Sequence, residues 1–250
     1  MHIAILTFEG YNELDSLIAL GVLNRIKRAD WRVSIASPAP TVRSMNGVVI
    51  ESMASIEDAC AADAVIVGSG TQTREVIADP AVMGQLRQLD PSRQLLAGQC
   101  SGTLVLAKLG LLGDVPACTD LITRPWVVAA GIEVLDRPFF AKDNVATAGG
   151  CLASHYLAAW LIARLEGNEA AESALHYVAP VGEKEEYVAR AMRNITPYLP
   201  QPLAGQGTSG RAASSRPDPA LPEDGTGVSR GRRRDMGTFA SKPRPARPTQ

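Results

Sequence analysis

The chain has 250 residues, 46% hydrophobic, 20% charged and 5% aromatic, the profile of an ordinary globular protein of one or two domains. Its net charge of −1 is unevenly spread: residues 201–250 carry nine Lys and Arg against four Asp and Glu, so acidic groups dominate the remainder. An acidic body excludes a broad nucleic-acid surface, and no apolar run reaches the roughly 20 residues that span a bilayer.

Residues 2–8 are an apolar run that reads as a buried strand, closed by the turn Glu9-Gly10. They lack the basic region and small-residue cleavage site of a signal peptide, so the expected location is cytoplasmic and the thiols reduced. Residues 14–26 place Leu14, Leu17, Ile18, Gly21, Val22 and Ile26 at helical spacing. A strand is predicted over 32–36, ending before Pro38, and a short hairpin arm over 48–50 after Asn46-Gly47. Residues 64–67 read as another buried strand, running into Gly68-Ser69-Gly70-Thr71. Helical patterns follow to Leu89; then a strand over 94–98 leads directly to Cys100, and 101–109 is helical. Residues 139–147 make one or two strands closed by Gly149-Gly150, 152–165 a strongly apolar helix and 183–193 a short helical segment.

Strands alternating with helices imply an α/β fold with a doubly wound, mostly parallel sheet, here one domain over residues 1–196. Such sheets form their sites beyond the carboxyl ends of the strands, so the loops at 9–13, 68–71 and 98–102 are expected to meet. Residues 197–250, rich in Pro, Gly, Ser and Arg, cannot bury enough surface to offset ordering and are expected to be disordered. The run Arg230-Gly231-Arg232-Arg233-Arg234 is read as a solvated basic tail in preference to a nucleic-acid contact.

Gly98-Gln99-Cys100-Ser101-Gly102 has the G-x-nucleophile-x-G form of a strand-to-helix elbow, with cysteine as the nucleophile. At a helix start, free N–H groups and the helix dipole favour thiolate over thiol. The plainer reading is a small buried cysteine. The other cysteines, Cys60, Cys118 and Cys151, are scattered and form no C-x-x-C pair, so no metal site is expected.

The stretch from Cys100 to Ala107, followed by Gly110-Leu111-Leu112, resembles the nucleophile segment of the ThiJ/PfpI superfamily, which has a flavodoxin-like, class I glutamine amidotransferase-like fold. The similarity extends to Glu13-Leu14-Asp15, Gly68-Ser69-Gly70-Thr71 and Thr147-Ala148-Gly149-Gly150, and covers roughly residues 2–190. Its nearest branch is the isonitrile hydratases. That resemblance implies a homodimer without cofactor that converts an isonitrile and water to an N-substituted formamide, with Cys100 and Asp15 as catalytic residues. A carboxyl group beside a thiolate tends to keep its proton and donate it, and two such groups titrate as a pair. A helix N-cap or first-turn acid also suits Asp15, and Glu13 is a local competitor.

The chain departs from the superfamily's pattern in two places. A Thr-Thr-His-like stretch is common after the nucleophile helix, but here Cys118-Thr119-Asp120 puts Asp120 in place of the histidine. The remaining histidines are His2 in the first strand, His155, which reads as a core residue of its apolar helix, and His176, with nothing local to orient it. With no H-x-E pair either, peptidase and amidotransferase chemistry are disfavoured. Ser69 stands where the resemblance expects glycine. Backbone N–H groups of Ser69, Gly70 and Ser101 are candidates for holding a developing anion; Ser101 Oγ could touch substrate, or Ser101 could be a surface-facing serine, and Trp126 could line the pocket or pack in the core.

The expected activity is therefore a cofactor-free cysteine hydratase or lyase acting on an isonitrile or another small electrophile. The alternatives are glyoxalase- or deglycase-like work on α-oxoaldehydes, and a redox sensor in which Asp15 holds an oxidised Cys100. Residues 180–250 show no helix-turn-helix pattern, which disfavours a DNA-bound regulator.

Overall fold

Residues 1–200 are described by a computed structural model; the expected tail begins later than residue 197, because Tyr198 ends a 3₁₀ turn and packs against Phe139 and Phe140, and residues 201–250, with the run from Arg230 to Arg234, lie outside the described residues. In chain order the elements are β1 (His2–Leu6), α1 (Glu13–Leu23), β2 (Arg32–Ala36), β3 (Thr41–Arg43), β4 (Val49–Glu51), α2 (Ile56–Ala61), β5 (Ala64–Val67), α3 (Thr73–Ala78) and α4 (Pro80–Leu86). They continue with β6 (Leu95–Gln99), α5 (Gly102–Lys108), α6 (Arg124–Ala129), β7 (Phe139–Lys142), β8 (Val145–Ala148), α7 (Ser154–Glu166), α8 (Asn168–Val178) and α9 (Lys184–Ile195).

Six strands form one sheet in the order β2-β1-β5-β6-β8-β7, parallel except where β7 runs antiparallel to β8. Every residue of β5 (AVIV), β6 (LLAGQ) and β8 (VATA) is buried, as central strands covered on both faces must be. One face packs on α1, α7, α8 and α9 through Val22, Leu157, Trp160, Leu175 and Ile195. The other packs on α2 to α6 through Ile56, Val76, Leu86, Leu104 and Val127. The arm predicted over 48–50 pairs as β4 with β3 in a separate antiparallel ladder.

Residues 139–147 make two strands because Asp143 adopts φ 55° between them, a left-handed turn position that short polar side chains tolerate. Helix α2 carries little periodicity over its 6 residues but is closed by a capping box, Ser55 and Asp58 each accepting from the other's backbone N–H. The apolar helix predicted from 152 begins as α7 only at Ser154, because Gly150 (φ 91°) and a 3₁₀ turn over Cys151–Ala153 precede it. That delay places Cys151 beside the end of β6.

Candidate active site

The chain leaves β1 for β2 on one side, whereas β5 pairs with β1 on the other. This reversal opens a crevice at the carboxyl ends of the strands, where the loops after β1, β5 and β6 meet as expected. Asn12 N–H donates to Ser69 O (2.8 Å) and Thr71 N–H to Gly10 O (2.9 Å). Gly70 permits the close approach: a Cβ there would lie 2.7 Å from Gly10 O.

Cys100 follows β6 directly and has φ 47°, a left-handed conformation that costs a side-chain-bearing residue roughly 1–2 kcal/mol. Its surroundings hold it there. Its N–H donates to Ala148 O (2.8 Å), and its carbonyl accepts from Thr103 N–H (3.1 Å) and Thr119 Oγ1 (2.8 Å). At Gly102 a Cβ would lie 2.0 Å from Val67 O, so the turn into α5 requires glycine. Cys100 is 3% exposed, and its Sγ accepts from Gln99 Nε2 (3.2 Å), which also bonds Gly150 O (3.0 Å).

Asp15 is not the N-cap of α1; Asn12 is, its Oδ1 accepting from Leu14 N–H at 3.1 Å. One turn inward, Asp15 is 1% exposed. Its Oδ2 accepts from Ser69 Oγ (2.6 Å) and its Oδ1 from Ser16 Oγ (3.4 Å). The Cys100 and Cys151 sulfurs and an Asp15 carboxylate oxygen all lie within 4.8 Å of one another, the one cluster among the described residues with three metal-ligating atoms. Glu13 lies instead against Asn46 and Ser44 of the hairpin.

Burial pushes the Asp15 carboxyl up to about 7, against the opposing pull of the Ser69 and Ser16 hydrogen bonds. Burial also pushes the Cys100 thiol well above the ordinary range, the Asp15 charge adds to this, and the Gln99 bond offsets only part of it. The expected thiolate-favouring helix start is therefore corrected. Helix α5 has 7 residues and the sulfur at its head is buried, so desolvation of the anion outweighs the dipole. In such a pair the thiol proton must go to the carboxylate rather than to water.

The Cys100 thiol faces a cavity of about 410 Å³ whose walls include Met45, Arg74, Asp120, Ile122, Trp126 and Cys151. Trp126 lines it, with the Arg74 guanidinium 5.0 Å from its ring centre, while also packing on the core of that face. Ser101 is buried rather than surface-facing: its Oγ accepts from Gly70 N–H (3.1 Å) and shares a hydrogen bond with Thr73 Oγ1 (2.7 Å). Gly70's N–H is thereby already engaged, whereas those of Ser69 and Ser101 have no acceptor among the described residues. Ser69 keeps a negative φ, and its hydroxyl, unforeseen in the sequence, is what holds Asp15. Asp120 faces the cavity while its Oδ1 accepts from the N–H groups of Ile122 (3.0 Å) and Thr123 (2.9 Å).

No histidine lines this cavity among the described residues. His2 bonds Ser34 in the sheet and His176 is an exposed neighbour of Glu185. His155 lines a separate, larger groove of about 860 Å³, with Nδ1 on Leu152 O and burial lowering its pKa. Sequence reasoning missed Gln99, Asn12 and Cys151. Asn12 Nδ2 bonds Cys151 Sγ at 3.1 Å. The signal for Cys151 was its position directly after Gly149-Gly150 at the end of the strand beside the nucleophile strand.

The model of the DJ-1/PfpI family matches residues 1–164, and the chain belongs to that family. No curated protein matches the chain. Among solved structures it is similar to Schizosaccharomyces pombe DJ-1, at 16% identity and a TM-score of 0.63, over 72% of this chain and 100% of that one. A DJ-1 superfamily protein from Salmonella typhimurium matches at 23% identity and a TM-score of 0.62, over 72% and 98% of the two chains. For Drosophila melanogaster DJ-1beta the identity is 21% and the TM-score 0.62, over 71% and 96%. At these identities the structures establish the fold. Among the described residues no helix is long and apolar enough to cross a membrane.

Proposed function

We propose that this protein is a cofactor-free, cysteine-dependent hydratase that adds water to an isonitrile or a similar small electrophile, releasing an N-substituted formamide. The observation that carries this reading is the buried Asp15 carboxyl within 4.8 Å of the Cys100 sulfur, behind a cavity that Cys100 lines and that no histidine lines among the described residues. A pair of this kind can move one proton back and forth near neutral pH, which is what the reaction needs. The cavity, about 410 Å³, is of a size for small ligands.

The terminal isonitrile carbon must gain both a sulfur and a hydrogen. As Cys100 Sγ bonds to it, ionised Asp15 takes the thiol proton and returns it to the same carbon, giving a thioimidate, R–N=CH–S–Cys100. Asp15, ionised again, then takes a proton from water as the water oxygen attacks that carbon, and passes it to the nitrogen. The intermediate R–NH–CH(OH)–S–Cys100 collapses: the C–S bond breaks, the hydroxyl proton returns to sulfur, and R–NH–CHO leaves. The sum is one isonitrile and one water consumed for one formamide formed. Ser69 orients the carboxyl throughout, and the Ser69 and Ser101 N–H groups are the donors available to a developing negative charge.

The test is formamide production from a panel of alkyl and aryl isonitriles, with methylglyoxal alongside. Turnover of isonitriles by the wild type, lost in Cys100→Ala, is the expected result. Turnover of methylglyoxal alone would replace this reading with glyoxalase-like chemistry.

A further inference from the structure

We propose that Cys100 and Cys151 form a reversible intramolecular disulfide when a hydroperoxide oxidises the site, making Cys151 a resolving thiol. This goes beyond the hydratase reading and does not depend on it, since it uses the thiols and not the electrophile.

The two sulfurs lie within 4.8 Å of each other across the Asp15 carboxyl. A disulfide needs about 2.05 Å, so one sulfur must advance by up to about 3 Å. Cys100 is fixed by its strained elbow and its backbone hydrogen bonds. Cys151 is the one that can move: it opens a single 3₁₀ turn behind Gly149-Gly150, and among the described residues its side chain has one hydrogen-bond partner, the Asn12 amide. It is also partly exposed and lines both the Cys100 cavity and the larger groove. The other two cysteines are placed differently. Cys60 on α2 packs against Gln85 O, and Cys118 is completely buried with its N–H on Thr147 Oγ1.

The chemistry balances in two steps. Cys100 sulfur attacks the distal oxygen of ROOH, the O–O bond breaks, and ROH leaves with the thiol proton, giving Cys100–SOH. Cys151 sulfur then attacks the Cys100 sulfur, the S–O bond breaks, and the departing hydroxide takes a proton from Asp15, which regains it from the Cys151 thiol. Two thiols are oxidised by two electrons, and the peroxide is reduced to an alcohol and water. With Cys151 this close, the sulfenic acid meets a thiol before a second peroxide, so the site is spared over-oxidation that a reductant cannot reverse.

The experiment is intact-mass measurement of the full chain after brief treatment with hydrogen peroxide, followed by non-reducing peptide mapping. Expected for wild type is a loss of 2 Da, a cross-linked peptide pair containing Cys100 and Cys151, and full return with dithiothreitol. The Cys151→Ser variant, shown to be folded by circular dichroism, should instead pass through the sulfenic acid to the sulfinic acid at Cys100, a gain of two oxygen atoms that dithiothreitol does not reverse. The Cys118→Ser variant should behave as wild type. Stable oxygen addition at Cys100 in wild type, a cross-link through Cys60 or Cys118, or no reaction with peroxide would each overturn the proposal.

Discussion

Two cavities meet at Cys151, and they hold buried titratable groups of opposite kinds. The larger, about 860 Å³, contains His155, whose ring lies 3.9 Å from that of Tyr156 and 5.0 Å from that of Tyr187. Among the described residues its Nε2 is buried without a partner, and Cys151 is the one thiol that lines the groove. The smaller, about 410 Å³, has the strained elbow, and Asp15 lies beside it with a carboxyl that gains and loses its proton near neutral pH. Burial perturbs both groups, lowering the pKa of one and raising that of the other. Desolvation alone therefore does not mark a reactive centre; what differs is that Asp15 faces a second group with which it can exchange a proton.

That comparison can be broken by substitution on either side. The largest effect is expected for Cys100→Ala, which should reduce turnover of any responsive isonitrile to background with the fold intact, checked by formamide assay and circular dichroism. Asp15→Asn should follow with a loss of about 10²-fold or more, the usual scale for removing a general acid–base. The same variant sharpens the electrostatics. In the folded protein Asp15 titrates at about 7 rather than at the ordinary 3.8, so the folded state holds a proton that the unfolded state has lost. Stability should then fall as pH rises from about 4 to about 7, by up to about 4 kcal/mol. Asp15→Asn should be as stable as wild type near pH 4 and more stable at pH 8, which melting curves at the two pH values would show. Burial is why this substitution does not behave as a surface change.

Ser69→Ala removes the hydroxyl that favours the ionised carboxyl. Turnover should drop by about 10-fold, and the acid limb of the pH–rate profile should move to higher pH. The smallest effect on activity is expected at His155. His155→Gln should leave turnover within about twofold and cost about 1–2 kcal/mol of stability, measured by denaturant unfolding, through lost packing against the two tyrosines. A folded His155→Gln variant without activity would reverse the assignment of the two cavities.

Much of the architecture was legible because the central strands are short, mostly apolar and followed by glycine-bearing turns. Residues 64–67 were delimited correctly for that reason, and the elbow was readable because Gly98 and Gly102 flank Cys100. Asp15 could be singled out, but not separated from Glu13 or from a capping role, since all these positions share one turn. The separation came from tertiary contact: Asn12 takes the cap and Ser69, 54 residues away, takes the carboxyl. The state of the thiol was misread for a related reason. A helix start is visible in the sequence, whereas burial of the sulfur at 3% exposure is not. Cys151 was passed over because no spacing rule joins it to Cys100; only the pairing of β6 with β8 does.

The central claim is that Cys100 and Asp15 share a proton and act as one unit, and the pH dependence of Cys100 alkylation tests it most directly. In wild type, the rate of iodoacetamide modification at Cys100, followed by peptide mass mapping, should rise with a midpoint near pH 7, where the pair loses its first proton. In Asp15→Asn that step should vanish, leaving a buried thiol that reacts only above the ordinary thiol range. An unchanged midpoint in Asp15→Asn would contradict the account.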